Sequence, residues 1–383
     1  MRMKTKYLLL GGAVVLVGAT AWVGSVYFAE TNSLGPTSTT TSTPSTEPTT
    51  STTTSVDQVV GPKVLPGRDR TGITAARSGF IDASGRQVSV VTVDGDYVLV
   101  DADSGETTVV YNARDLTLWL SVGVLRTGSV SADDPFLRAQ MAAQGLVALA
   151  LETGTSGIRD VNGRQVVETS YEEDFVFDGV QVVREHTVTV DIETGLIVRH
   201  DIDQKSPEVA PEDANRESVA GDVTTGFSID DDVVAERAAE QTIDDGYQLL
   251  SSIAEAEALA GYPVSTPSWM PEGFVLTQIA YGSNPGGIMN RQSVVVLTYR
   301  NWAWEVDVTF RDASVQEQWD DPFDPEQLLT PTTVVGAFEI FASNGTFPAH
   351  AWGVDDGRLI TIAGGVGPEA LAKIVEGLSD SAS

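Results

Sequence analysis

Three histidines, at positions 186, 200 and 350, are the side chains whose ordinary titration falls nearest neutrality, and the chain has no cysteine. None of the three has a histidine or an acid at metal-ligand spacing such as His-x-x-x-His, so no metal centre is expected. Lack of cysteine removes thiol nucleophiles, disulfides and lipid-modified cysteine anchors together. No Gly-x-Ser-x-Gly elbow, Ser-x-x-Lys pair or phosphate-binding glycine loop is present, and Gly286-Gly287 and Gly364-Gly365 are too short to form one. With 54 acidic residues, a carboxylate pair at glycosidase spacing is expected by chance and singles out nothing. The chain therefore reads as a protein that is not an enzyme and uses no cofactor.

Binding chemistry is easier to place. Val180, Val182, Val188, Val190 and Ile192 share one face of a strand, and Arg184 and His186 fall on that same apolar parity. Polar residues there mark either a sheet edge or barrel mouth, or contacts to a lipid headgroup. The tryptophans at 269, 302, 304, 319 and 352 suggest an aromatic strip for a sugar or peptide, or a core. Trp302 and Trp304 keep strand parity with Val306 and read as core, which leaves Trp269 and Trp352 as candidate contacts to a partner protein.

The formal net charge is −31, and the one dense basic cluster is Arg2, Lys4 and Lys6. Nucleic acid and anionic membrane surfaces call for basic patches that the rest of the chain lacks. Asp101 to Glu106 superficially resembles half a calcium loop, but it lacks the glycine at loop position 6 and the bidentate glutamate at position 12, and a hairpin turn explains it. Asp230-Asp231-Asp232 reads as a helix start, where carboxylates accept orphan N–H groups.

Tyr7 to Ala29 is a run of 23 residues without a charged side chain. As a helix at ~1.5 Å per residue it is long enough to cross a hydrocarbon core of ~30 Å. The basic residues before it keep residues 1–6 in the cytoplasm and place the bulk of the chain outside a cell membrane. The alternative is a cleaved signal peptide with a site at Ala19-Thr20-Ala21, giving a secreted protein. Residues 30–55 are almost wholly Thr, Ser and Pro and form a tether, which spans ~28 Å as a flexible coil.

From Val88 the chain alternates as half-buried strands do: Val88 to Val93, Tyr97 to Asp101, Thr107 to Tyr111 and Leu116 to Leu120, with turns at Asp94-Gly95 and Ser104-Gly105. Asp133-Asp134-Pro135 opens a helix over 135–151, weakened by Gly145. Strands follow at Gly163 to Ser170, Val180 to Ile192 and Leu196 to Ile202. Residues 206–232 read as an acidic linker with little structure, followed by a helical zone from Val233 and a capping box at Ser252 to Glu255. Strands at Val275 to Tyr281, Ser293 to Tyr299, Trp302 to Phe310, Gly336 to Ala342 and Arg358 to Gly364 then build a second sheet. In Trp302 to Phe310 the face with Trp304, Val306, Val308 and Phe310 should be core, and the face with Glu305, Asp307 and Thr309 wet. Gly367-Pro368 opens a final helix whose Leu371, Ile374, Val375 and Leu378 should lie on that sheet. The class is α+β.

Pro267 to Phe274, together with Leu359 to Leu371 and its helix, resembles the C-terminal domain of the MucB/RseB family of envelope-stress regulators. Asn162 to Val166 and Val190 to Leu196 are similar to the lipoprotein-carrier (LolA-like) domain that forms the first half of that family. The resemblance implies an unclosed antiparallel β-barrel wrapped on a helix and able to hold acyl chains at 56–205, then a smaller α+β domain at 233–383. It also implies a lipid or acylated ligand and a membrane regulatory partner such as an anti-sigma factor. The chain departs from that family in carrying its own anchor. The resulting expectation is a membrane-anchored extracytoplasmic protein that senses an apolar ligand through Arg184 and His186 and contacts a partner in envelope signalling. A lipid carrier without a partner, and a structural or adhesion protein of the envelope, are the alternatives.

Overall fold

The computed structural model describes residues 75–81, 87–93, 96–101, 107–113, 115–120, 124–131, 133–161, 163–177, 180–204, 215–216, 224–225, 241–283, 293–315, 319–324 and 329–380. The apolar run Tyr7 to Ala29, the tether and the Asp230 to Asp232 cluster lie outside them. Among the described residues no helix is long and apolar enough to cross a membrane.

A meander comes first. β1 (Ala75–Ile81), β2 (Gln87–Val93), β3 (Asp96–Asp101), β4 (Thr107–Asn112), β5 (Thr117–Leu120) and β6 (Val124–Thr127) pair antiparallel in chain order. The Asp94-Gly95 and Ser104-Gly105 turn signals thus fall between paired strands, as read. The helix α1 (Pro135–Thr153) follows, with Asp134 as its cap: Leu137 N donates to Asp134 Oδ1 at 3.3 Å. The second sheet holds β7 (Arg159–Val161), β8 (Arg164–Phe177), β9 (Val180–Asp191), β10 (Ile197–Gln204) and β11 (Asn215–Arg216), in the order β11-β10-β9-β8-β7. β8 runs seven residues beyond the expected end at Ser170, through Tyr171 and three consecutive acids.

The stretch read as an unstructured acidic linker contains β11 and also β12 (Thr224–Thr225), which pairs with β1. The helical zone expected from Val233 is replaced, where described, by strand β13 (Gln241–Asp244), which runs parallel to β6. Two residues later β14 (Tyr247–Leu249) begins the third sheet, and α2 (Ile253–Ala260) starts at the expected capping box, with Ser252 Oγ accepting from Glu255 N. β15 (Val275–Gly282), β16 (Val294–Asn301), β17 (Trp304–Asp312), β18 (Thr333–Val335), β19 (Phe338–Phe341), β20 (Ala349–Asp355) and β21 (Arg358–Gly364) complete that sheet in the order β14-β15-β16-β17-β21-β20-β19-β18. The last helix is α3 (Pro368–Asp380). The class is α+β, with mostly antiparallel sheets and no closed barrel among the described residues.

One face of the third sheet is the expected core. Trp304, Val306, Val308 and Phe310 join Leu297, Ile340, Ile360 and Ile362 beneath Leu371, Ile374, Val375 and Leu378 of α3. The opposite face is not wet, as the alternation suggested: Glu305, Asp307 and Thr309 are 2, 0 and 3 % exposed. The first sheet covers it. Leu116 and Val130 pack on Ala280, Val294 and Val296, Gln278 Nε2 donates to Ala113 O at 3.3 Å, and the Arg300 guanidinium lies 5.4 Å from the Tyr111 ring centre. The buried charges are compensated from the neighbouring strand. Arg300 pairs with Glu305, and Thr298 Oγ1 donates to Asp307 Oδ1 at 2.6 Å. Burial raises the Glu305 carboxyl above the usual range although Arg300 opposes it, and burial likewise raises the Tyr97 and Tyr111 phenols. Trp302 departs from the strand reading too, since it sits in the β16–β17 turn at a φ of 60°.

α1 is buried on most sides because it lies between sheets, touching β8, β9 and β10 as well as β17, β20 and β21. Gly145, which weakened the helix on propensity, has a packing role. A methyl group there would stand 3.0 Å from Ser343 Cβ and 3.2 Å from Ala349 N.

Candidate functional site

The second sheet gathers an unusual set of polar side chains on its inner face. β8 and β9 pair in a register that sets Tyr171 opposite His186 and Glu173 opposite Arg184. β10 sets His200 opposite Val188, one pair along on the same face. His186 is fully buried, and His200 and Glu173 are each 9 % exposed.

The geometry is a chain. His186 Nδ1 lies 2.9 Å from His200 Nε2, and His186 Nε2 lies 3.2 Å from Glu173 Oε2. The carboxylate only accepts, so His186 Nε2 donates to it, and a single proton bridges His186 Nδ1 and His200 Nε2. Burial, reinforced by the neighbouring His186, pushes His200 down to about 3. Arg184 Nη1 stands 3.8 Å from Glu173 Oε2, and its side chain is 19 % exposed. The Tyr171 ring stacks on His186 at 4.6 Å between centres and 9° between planes. Tyr171 in turn closes on Gly345, where any Cβ would overlap its ring and where φ is +87°.

The third histidine, on β20, forms a second buried pair. His350 Nδ1 lies 2.9 Å from Pro348 O and Nε2 lies 2.8 Å from Asp321 Oδ2, with the ring stacked on Phe341 and tilted against Phe323. The two partners are oxygens, a backbone carbonyl and a carboxylate.

Arg184 and His186, read from parity as one pair, are thus brought together with Glu173, His200 and Tyr171. The reading missed Tyr171 and Glu173 because it ended the strand at Ser170. Continuing the Val167 parity through 169, 171 and 173 would have found them. His200 lay in the expected Leu196 to Ile202 strand, on the parity of Val198. Trp269 is 38 % exposed beside α3, with Lys373 Nζ 5.5 Å from its ring centre. Trp352 is half-buried in β20, its register partners being Glu339 and Thr361. The structure does not bring the two tryptophans to the histidine cluster. Among the described residues no group of three or more His, Cys, Asp or Glu stands in metal-holding geometry. In the histidine chain both nitrogens of His186 already face protein partners.

No protein-family model and no curated protein matches the chain. Among solved structures it is similar to the crystal structure of MucB, at 14 % identity over 82 % of this chain and 92 % of that one, with a TM-score of 0.25. It is similar likewise to MucB in complex with MucA(peri), at 12 % identity over 80 % of this chain and 91 % of that one, with a TM-score of 0.25. At that TM-score the likeness carries no argument of its own.

Proposed function

We propose that the protein is an extracytoplasmic binding and regulatory protein without catalytic activity, tethered to a membrane by Tyr7 to Ala29, that senses an apolar ligand and contacts a membrane partner in envelope signalling. The observation that supports this reading most directly is the position of α1. Its Ala143 and Val147 belong to the same apolar cluster as Val167, Val188 and Val190 of the second sheet and Val306, Val308 and Phe310 of the third. A guest chain entering between the second sheet and α1 would therefore disturb the seat of the third sheet as well. That is the mechanical requirement for a sensor whose ligand and partner occupy different elements.

The polar end of this apolar face is where a headgroup would meet the protein. Arg184 is the side chain offered there, since Glu173 engages it at 3.8 Å and leaves it partly exposed, whereas His186 lies fully buried behind. Trp269 and Trp352 would serve the partner on the C-terminal sheet. The resemblance to MucB/RseB proteins, with their LolA-like and C-terminal domains, points to an anti-sigma factor or similar single-pass regulator as that partner.

The full chain, produced in a bacterial host and extracted in mild detergent, tests this by native mass spectrometry and in-cell cross-linking. A stoichiometric acyl-chain adduct, weakened when Arg184→Ala and His186→Ala are combined, together with a cross-linked membrane protein, is the expected result. Adduct retention unchanged in that double variant would sink the headgroup role. Recovery of the protein from the medium, with neither adduct nor partner, would sink the whole reading.

A further inference from the structure

The face of the third sheet that the first sheet covers has the composition of a solvated one. Glu305, Asp307 and Thr309 of β17 and Thr298 and Arg300 of β16 are all buried there. Their polar groups are matched from inside the third sheet: Arg300 pairs with Glu305, Thr298 Oγ1 donates to Asp307 Oδ1 at 2.6 Å, and Arg311 Nη1 donates to Thr361 Oγ1 at 3.3 Å. None of these three pairs includes a residue of the first sheet. Uncovering this face hydrates groups that keep their partners, whereas uncovering the opposite face, with Trp304, Val306, Val308 and Phe310, costs free energy in proportion to its apolar area. The two faces of one sheet therefore differ in how readily they part from their covers.

The first sheet is joined to the rest of the molecule along one edge. β6 and β13 are parallel neighbours, so the chain leaves the sheet through both at the same end. β6 stops at Thr127 and β13 at Asp244, and the glycines just beyond, Gly128 and Gly246, have φ of +76° and +78°. The two exits lie against each other: a Cβ added at Gly128 would stand 2.8 Å from Tyr247 N and O. Arg126 ties them together, at 2.7 Å from Asp134 and 3.3 Å from Asp245. The chain also crosses from β11 to β12 through residues 217–223, and that covalent span bounds how far the sheet can move. Leu116, in the β4–β5 turn, is 2 % exposed and packs with Ala280, Val294 and Val296 of the third sheet. Its backbone is left-handed, with φ of 49°, a strain that its packed surroundings must maintain.

We propose that the first sheet is a flap, which swings as a unit off the polar face of the third sheet about a double hinge at Gly128 and Gly246 and is seated by Leu116. A hinge needs only a few residues that absorb a change in φ and ψ, and the two glycines stand where both exits must bend. Opening relieves the left-handed Leu116 and turns Arg300, Glu305, Asp307 and Arg311 to solvent as a charged strip. Closing restores the packing of Leu116 on Ala280, Val294 and Val296. The inference rests on this geometry and not on the ligand or partner proposed above.

Because the chain has no cysteine, an introduced thiol reports on one position alone. Val295 and Val296 are neighbours on β16 and both 0 % exposed, but Val296 packs with Leu116 beneath the flap, whereas Val295 belongs to the core on the other face. Val295→Cys and Val296→Cys, each in the full chain in mild detergent, are treated with excess iodoacetamide without denaturant, and alkylation is followed by intact mass. Val296→Cys should react at least about tenfold faster, since swinging the flap uncovers it and only opening the core uncovers its neighbour. Adding Leu116→Ala, which removes the plug but keeps its strain, should raise the Val296→Cys rate further and leave the Val295→Cys rate where it was. Equal rates in the two cysteine variants overturn the proposal, as does Leu116→Ala raising both alike or neither. Should a cysteine variant not fold, carbodiimide coupling of glycine ethyl ester to the wild type decides. Glu305 and Asp307 should then be modified faster than the whole chain unfolds, and modification no faster than unfolding overturns the flap.

Discussion

Gly345 and Gly357 both hold a left-handed backbone, with φ of +87° and +72°, but their surroundings differ. Nothing lies within 4 Å of a Cβ added at Gly357, whereas at Gly345 the Tyr171 ring occupies that space. Gly357→Ala should therefore cost only the backbone penalty, about 1 kcal/mol, and Gly345→Ala should cost about 2 to 4 kcal/mol because overpacking adds to it. Urea midpoints of the two variants check this, and equal losses would mean that the ring swings aside freely. At the same scale, the sequence made Arg184 and His186 legible because both interrupt an apolar parity. Glu173 and His200 also sit on apolar parities of their own strands, but only the register of β8 and β10 against β9 shows that they meet His186. A polar residue among apolar neighbours announces itself; which residue of the adjoining strand it meets does not.

At the scale of elements, α3 shows what one strand or helix cannot reveal about itself. Its first turn has no side-chain cap of its own at Gly367. Glu152, at the end of α1, supplies it: Oε2 accepts from Glu369 N at 3.1 Å and Oε1 from Ala370 N at 3.4 Å. Burial raises the Glu152 carboxyl somewhat, against the opposing effect of these two bonds. Gly367 must lack a side chain because Glu152 fills the place of its Cβ. Glu152→Ala should destabilise the protein by about 1 kcal/mol and raise exchange at Glu369 and Ala370 before the rest of α3, measured by thermal melts and amide exchange. Most elements were readable because alternation and turn residues agree locally, as in β2 to β4 and β15 to β17. What alternation misreported was the solvent side of β17. Glu305 and Asp307 look wet from their own strand, and only Arg300 and Thr298 on β16 explain how the first sheet can cover them.

For the whole molecule, the informative stretch is Gln241 to Leu249. β13 closes the first sheet against β6, and β14 opens the third, with Asp245 and Gly246 between them. Thr127 on β6 meets Ile243 across 116 positions of chain. Parallel pairing at that separation has no local signature: the stretch looked helical because a strand that pairs far away in sequence carries no turn signal beside it. A ribosome-bound chain arrested after residue 240 should expose its first sheet to protease, and one arrested about 60 residues later should protect it, as limited digestion of stalled chains would show. Equal digestion of the two would mean that the meander is stable without β13. During synthesis, then, β6 presents an unpaired edge for the whole time that α1 and the second sheet are being made. At ~5 to 20 residues per second those 116 positions take roughly 6 to 23 seconds, an interval in which any strand-like segment of another chain competes for the place reserved for Gln241 to Asp244.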